Sequence, residues 1–199
     1  HCKKNTKKIN GLSILAVGGY GRGELAPHSD IDLLFLYQKD QLTKHQPVIE
    51  YILYLLWDLG LKVGHATRTS DQCLEAANDD ITIMTTLLEI RYIEGDEKLF
   101  ENFEKRLRLW ISEKPVSYFV TEKLRERDSR HKLHGATRYM VEPQIKEGKG
   151  GLRDLHTLFW IAKFAYKVRS VEEVIELGVL RVSEAKNFAA SQRFLWTVR

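Results

Sequence analysis

The chain has 199 residues, 43% of them hydrophobic, which is enough to bury a globular core. Its formal net charge of +4 suits a phosphate-bearing partner but does not distinguish a nucleotide from a nucleic acid. No apolar run approaches the roughly 20 residues of a membrane span, and two cysteines are too few for a disulfide framework, so we expect a cytoplasmic protein without a membrane segment.

The first predicted elements are two strands joined through a glycine-rich segment. Residues 12–17 form a continuous apolar run typical of a buried strand, and residues 30–37 have the pattern of a second strand. Four glycines stand within residues 18–23. We therefore expect a tight turn after the first strand.

A helix and a third strand follow. Apolar residues recur at helical spacing over residues 46–59, and Gly60 stands where a helix commonly ends. Residues 61–69 predict the third strand. Thr69 and Gln72 have the spacing of a capping box that opens another helix. The order strand, turn, strand, helix, strand predicts a compact α/β unit.

The rest of the chain has a helical pattern almost throughout. From about residue 71 we expect helices, with Gly95 and Asp96 separating two of them and a polar segment at residues 134–151 interrupting the pattern. Later helices are predicted at residues 152–165, 171–177 and 183–199. We predict an α+β fold in which a small mixed-sheet domain, residues 1–110, precedes a helical domain, residues 111–199.

Two aspartates begin the second predicted strand. Side chains two residues apart in a strand project from the same face, so Asp30 and Asp32 would lie about 7 Å apart at Cα on one face. Mg²⁺ is commonly held by one or two carboxylates together with substrate phosphates. The pair is therefore a candidate magnesium site, although the same two residues are also common in a solvated strand.

The glycines ahead of this pair make the magnesium interpretation more specific. Gly18 and Gly19 have no Cβ, so their backbone can approach a phosphate closely. A P-loop is excluded, because Glu24 stands where that motif needs lysine. A dinucleotide-binding fingerprint is excluded as well, since its third glycine is missing.

These residues carry a resemblance to a known family. Gly18-Gly19 followed by Asp30-Ile31-Asp32 resembles the DNA polymerase β-type nucleotidyltransferase superfamily. The longer run at residues 18–34, GGYGRGELAPHSDIDLL, resembles the bacterial PII uridylyltransferase (GlnD) family. Two further matches, EPQIKEGKGGLRDL at residues 142–155 and Val63-Gly64-His65 with Arg68-Thr69, resemble the same family.

The resemblance implies a Mg²⁺-dependent transfer of UMP from UTP to a tyrosine of the PII nitrogen-regulatory protein, with release of pyrophosphate. Asp30 and Asp32 would be the catalytic residues and the metal ligands, in what the resemblance suggests is a two-metal site. The residues that would contact the triphosphate or acceptor are Gly18, Gly19, Arg22, Ser29, Lys146, Lys149 and Arg153. For the three in the second block, a solvated basic loop is an equally good interpretation.

One departure from the superfamily pattern concerns the general base. Many members place a third carboxylate on the next strand, but residues 61–69 contain none. His65 lies there and could assist the acceptor or simply be a polar strand residue. Other carboxylates, Asp80 and Glu89, fall in predicted helices. No general base is identified.

Several alternatives remain open. The enzyme could transfer AMP, since no residue is known to read the base, or the chain could be a catalytically inactive nucleotide-binding regulatory module. Nucleic-acid binding is not expected, because no basic stripe with aromatic residues is present. Both ends look cut, and no His-Asp dipeptide occurs, so we expect a piece that lacks the hydrolase and ligand-sensing domains of full-length relatives.

Overall fold

A computed structural model describes residues 9–134, 142, 144–168 and 171–199. The chain falls into two compact units that divide between Glu113 and Lys114. The predicted division after residue 110 lies close to this point, and the assignment of functions to the two domains stays a prediction. Within the described residues, no helix is long and apolar enough to cross a membrane.

The first unit is built on a mixed sheet, as predicted, but the sheet has four strands and only three were expected. The strand order is β3-β2-β1-β4, with β2 and β3 parallel and the other neighbours antiparallel. Its elements are β1 (Leu12–Ala16), α1 (Gly18–Arg22), β2 (Ile31–Tyr37), α2 (Leu42–Asp58), β3 (Val63–Arg68), α3 (Ser70–Asp79), α4 (Ile81–Leu87), β4 (Arg91–Gly95) and α5 (Glu97–Ser112).

The core of this unit forms between the two central strands and the first long helix. Every residue of β1 is buried, and α2 makes the crossover that a parallel pair such as β2 and β3 requires. The buried side chains that pack together are Leu12, Ile14, Leu33, Phe35, Tyr37, Ile49 and Leu53. This packing fixes the beginning of β2, where the aspartate pair lies.

Most of the predicted elements of this unit are confirmed. The three predicted strands are present, Gly60 follows α2 with φ of 75°, and the capping box between Thr69 and Gln72 forms in both directions. The segment expected to be only a turn contains the short helix α1.

The prediction for the last strand of this unit is wrong. Residues 91–94 were expected to be helical, with Gly95 separating two helices, but Arg91–Gly95 form strand β4, which pairs with β1. A Cβ on Gly95 would lie 2.3 Å from the carbonyl oxygen of Leu12, so the two backbones meet where no side chain fits. Five residues are too few for a periodicity to decide between helix and strand, and pairing with the edge of the sheet decides it instead.

The second unit is helical in the part that the structure describes, as predicted. Its elements are α6 (Val116–Leu133), α7 (Leu152–Tyr166), α8 (Val171–Glu176) and α9 (Val182–Val198). Phe119 of α6 and Phe164 of α7 stack with ring centres 4.1 Å apart, and both are fully buried. Ala162, Val168 and Val174 form a second small core. Part of the predicted polar segment, residues 135–141 and 143, lies outside the described residues.

Candidate active site

The two aspartates stand at the beginning of β2. Asp30 directly precedes the strand and is exposed, whereas Asp32 is its second residue and is half-buried. The backbone carbonyl of Asp32 accepts a hydrogen bond from the Val17 N–H at 3.1 Å, which ties the start of β2 to the end of β1. The fold thus presents one carboxylate to solvent and fixes the backbone of the other.

The carboxylate of Asp32 lies against two glycines. A Cβ on Gly18 would be 3.0 Å from its Oδ2, and a Cβ on Gly64 would be 2.6 Å from its Oδ1. Gly64 faces Asp32 across the parallel β2–β3 pair. The space around this carboxylate therefore depends on the absence of side chains at both positions.

The Asp32 carboxylate, with Asp30 beside it, suits Mg²⁺, the expected metal. Carboxylate oxygens are the ligands that Mg²⁺ prefers, and the predicted donor set of two carboxylates relies on substrate phosphates and water for the remaining positions. Among the described residues, no group of three or more His, Cys, Asp or Glu side chains is placed to hold a metal. Asp30 and Asp32 would hold the ion as a pair.

The glycine turn, Gly18 to Gly23, begins beside Asp32. Gly18 has φ of 58° and Gly23 has φ of 76°, conformations that favour glycine. The Glu24 N–H donates to the Gly19 carbonyl at 2.9 Å, and a Cβ on Gly19 would lie 3.1 Å from the Glu24 carbonyl oxygen. The structure brings Gly18 to Asp32, and the contacts of Gly18 and Gly19 with a triphosphate stay predictions.

Ser29 lies in the loop between the glycine turn and Asp30. Its N–H donates to the Ala26 carbonyl at 3.0 Å, and the side chain is half-buried. The neighbouring His28 has φ of 64°, a left-handed conformation that is uncommon outside glycine. A compact turn thus leads directly into the aspartate pair.

Arg22 is held by acidic side chains. Its Nε donates to Glu24 at 3.1 Å and its Nη1 to Glu89 at 3.2 Å, and only 14% of the Arg22 side chain is exposed. Glu89 follows α4 and is not helical, contrary to the prediction, and its side chain is fully buried. A contact between Arg22 and a triphosphate stays a prediction.

The three basic residues of the second block belong to the second unit. Arg153 and Lys146 both lie near the carboxylate of Glu147, with nitrogen–oxygen distances of 3.3 and 3.6 Å. Lys149 lines a cavity of about 560 Å³. The structure thus gathers the three around one loop, and their contacts with phosphates stay predictions.

A charged network that was not predicted from the sequence lies beside this loop. Asp154 accepts hydrogen bonds from Arg130 at 3.0 Å and from the Gly150 N–H at 2.8 Å, and it lies 2.9 Å from His131 Nε2. Arg130 also donates to the Glu147 carbonyl at 3.0 Å. Asp154 stood within the family-like block, but its partners on α6 are more than 20 residues away, so local spacing gave no signal.

The network lowers the pKa of Asp154. Burial raises the pKa of this carboxyl, but hydrogen bonds from the Gly150 N–H, His131 and Arg130 favour the ionised form and outweigh it. A depressed pKa stabilises the fold above the unfolded-state value near 4, and this stabilisation is lost as the pH falls through the folded-state pKa.

We therefore expect Asp154→Asn to reduce the acid sensitivity of the protein. Between pH 5 and pH 3, wild type should lose more free energy of unfolding than the variant, by on the order of 1 kcal/mol. Urea unfolding followed by circular dichroism at both pH values measures this. Glu176→Gln, at an exposed position of α8, is the control and should behave as wild type. Equal losses in wild type and Asp154→Asn would contradict the assignment.

Comparison with known proteins gives these features a family context. Residues 118–199 match the family model described as GlnD PII-uridylyltransferase, and residues 2–88 match that of a nucleotidyltransferase domain. Residues 118–199 are therefore similar to the GlnD PII-uridylyltransferase family, and residues 2–88 are similar to nucleotidyltransferase domains. The glycine turn and the aspartate pair lie in the nucleotidyltransferase match, and the loop around Glu147 lies in the GlnD match.

Two curated proteins are similar to nearly the whole chain. It is 50% identical over 188 residues to the bifunctional uridylyltransferase/uridylyl-removing enzymes of Rhodospirillum rubrum and of Rhodopseudomonas palustris. Each alignment covers 94% of this chain and 20% of the relative. The chain therefore spans about a fifth of the length of these curated relatives.

A third carboxylate is sterically excluded at one position of β3. The position that pairs with Asp32 is Gly64, where even a methyl group would meet Asp32 Oδ1. His65, the next residue, is exposed and contacts the ring of Trp57 with centres 6.3 Å apart. Whether His65 assists the acceptor stays a prediction, and no general base is assigned.

Proposed function

We propose that this chain transfers UMP from UTP to a tyrosine hydroxyl of a PII signalling protein and releases pyrophosphate. The observation that carries the proposal is the carboxylate of Asp32 lying between the backbones of Gly18 and Gly64, with Asp30 exposed beside it. The relatives are named for uridylyl transfer and uridylyl removal, which supports UTP as the donor. The predicted cytoplasmic location stays a prediction.

The reaction exchanges one bond at phosphorus for another. The acceptor oxygen forms a bond to the α-phosphorus, the bond from that phosphorus to the pyrophosphate oxygen breaks, and the acceptor proton passes to solvent or to a base that is not assigned. Asp30 and Asp32 would hold Mg²⁺, which when bound supplies positive charge that stabilises the attacking and leaving oxygens. Gly18, Gly19 and Ser29 would orient the triphosphate through close backbone and hydroxyl contacts.

The basic loop of the second unit offers a separate source of positive charge. Lys149 lines an open cavity, whereas Arg153 and Lys146 share the carboxylate of Glu147. We propose that Lys149 is the residue among the three that contacts the phosphates or the acceptor. In that role, its replacement should weaken substrate binding more than replacement of either neighbour.

The test is to incubate the 199-residue chain with UTP, Mg²⁺ and a purified bacterial PII protein. A mass increase of one UMP on a PII tyrosine is the expected result. Parallel reactions with ATP decide the nucleotide, because AMP transfer at an equal or greater rate would overturn the assignment of UTP. Bound UTP without any adduct or pyrophosphate would contradict catalysis by this chain and favour a regulatory nucleotide-binding module.

A further inference from the structure

The glycine turn has a second side, opposite Asp32, where it meets the chain just before β4. A Cβ on Gly21 would lie 1.8 Å from the backbone oxygen of Glu89 and 3.1 Å from that of Ala16. Separations this short leave no room for any side chain at position 21. The turn is therefore confined between Asp32 on one side and the backbone at Glu89 on the other.

Arg91 binds the end of this turn. Its Nη2 donates to the Tyr20 carbonyl at 2.8 Å and its Nε to the Gly21 carbonyl at 3.2 Å. Its guanidinium carbon also lies 5.2 Å from the centre of the Tyr20 ring. The last carbonyls of a helix lack partners within that helix, and α1 is only five residues long, so a donor from β4 stabilises it directly.

Arg22 and Glu89 make a second connection at the same place. The Glu89 side chain is fully buried, and acidic side chains are rarely buried without a partner. The Arg22 guanidinium approaches both Glu89 and Glu24. A guanidinium that already binds two carboxylates is poorly placed to accept a triphosphate as well, because each new anion would compete with the existing ones.

We propose that Arg22, Glu89 and Arg91 are positioning residues that hold the glycine turn so that the Gly18 backbone stays against Asp32. Arg22 acts through Glu89 and does not contact the nucleotide. The inference rests on the proposed function, because it takes the Asp32 side of the turn to be the nucleotide side. It also assigns roles to Glu89 and Arg91, which lie about 70 residues after the turn in the chain.

The experiment compares Arg22→Met, Glu89→Gln, Arg91→Met and the double variant Arg22→Met/Glu89→Gln. Arg106→Met is the control, because it removes an exposed ion pair with Asp71 in the same unit. Calorimetry with Mg²⁺ and the non-transferable analogue α,β-methylene-UTP measures the Kd. Hydrogen exchange at residues 19–24 measures the stability of the turn without requiring activity.

If the three residues hold the turn, each single variant should raise the Kd about ten-fold and speed exchange at residues 19–24. The Kd of the double variant should be at most about two-fold higher than the Kd of the more affected of its two single variants. Both substitutions break the same connection, so their effects should not add. Exchange in the strands β1 and β2 should stay as in wild type, which separates loss of positioning from general unfolding. The Arg106→Met control should match wild type in both measurements.

Two results would overturn the inference. A raised Kd in Arg22→Met alone, with Glu89→Gln and Arg91→Met unchanged, would make Arg22 a direct triphosphate ligand. Unchanged exchange at residues 19–24 in all variants would show that the turn does not depend on these side chains. If wild type binds no analogue, the proposed function fails, and exchange alone then decides whether the three residues hold the turn.

Discussion

Asp32→Asn should slow UMP transfer about 10³-fold, equivalent to about 4 kcal/mol of transition-state stabilisation. The substitution keeps the size of the side chain but removes the negative charge that would hold Mg²⁺, and it places an amide N–H₂ group where two glycine backbones now surround a carboxylate. The fold should be retained because the main-chain bond from the Val17 N–H to residue 32 is unaffected. The rate of UMP addition to PII, measured by mass at saturating UTP, checks this.

The matched control for Asp32→Asn is Asp58→Asn. Asp58 is exposed at the end of α2, so the same chemical change there should leave the transfer rate as in wild type. Asp30→Asn should act in the same direction as Asp32→Asn if both carboxylates hold the metal. Transfer by Asp32→Asn within a factor of three of wild type would contradict the role of Asp32, whatever the control does.

The sequence predicted this site because its residues are close in the chain. Gly18 comes two residues after the end of β1 and Asp32 is the second residue of β2, so the pairing of β1 and β2 brings them together without help from distant residues. A buried apolar run and an adjacent strand pattern were sufficient to predict the two strands, although not their pairing. The second strand was therefore predicted correctly, with Asp32 inside it, whereas Asp30 lies directly before its first residue.

The parts that sequence analysis missed depend on contacts between distant residues. Nothing in the pattern around Glu89 distinguishes it from the other acidic residues, and its burial is apparent only from the structure, where its backbone lies against Gly21. Arg91 was assigned to a helix, in which it would not reach the carbonyls of Tyr20 and Gly21. Pairing of β4 with β1 is what brings it there.

The fold also explains why a glycine stands at position 64, which the sequence alone did not. This position lies within residues 61–69, where the sequence lacks the third carboxylate of many superfamily members. The parallel register of β2 and β3 sets Gly64 opposite Asp32, where the space is already taken by Oδ1 of that aspartate. The glycine is thus compatible with the active-site interpretation, because it leaves the Asp32 carboxylate in place.

Gly64→Ala should therefore reduce transfer while leaving the protein folded. The new Cβ would lie 2.6 Å from Asp32 Oδ1, and the carboxylate, as the end of a flexible side chain, can rotate away at small cost in stability. A displacement of about 1 Å at a reacting centre can lower a rate about 10²-fold. We expect a loss of that size in UMP transfer, with a change in the free energy of unfolding below about 1 kcal/mol in urea.

The control, Gly60→Ala, adds a methyl group where nothing lies within 4 Å. Because Gly60 has φ of 75°, alanine there should cost about 1 kcal/mol of stability yet leave transfer unchanged. The two substitutions thus separate the measurements: Gly64→Ala affects the rate and Gly60→Ala affects the stability. If Gly64→Ala transfers UMP as fast as wild type, the reaction does not require the Asp32 carboxylate to stay in its position against β3. The assignment of Asp32 as a metal ligand must then be abandoned.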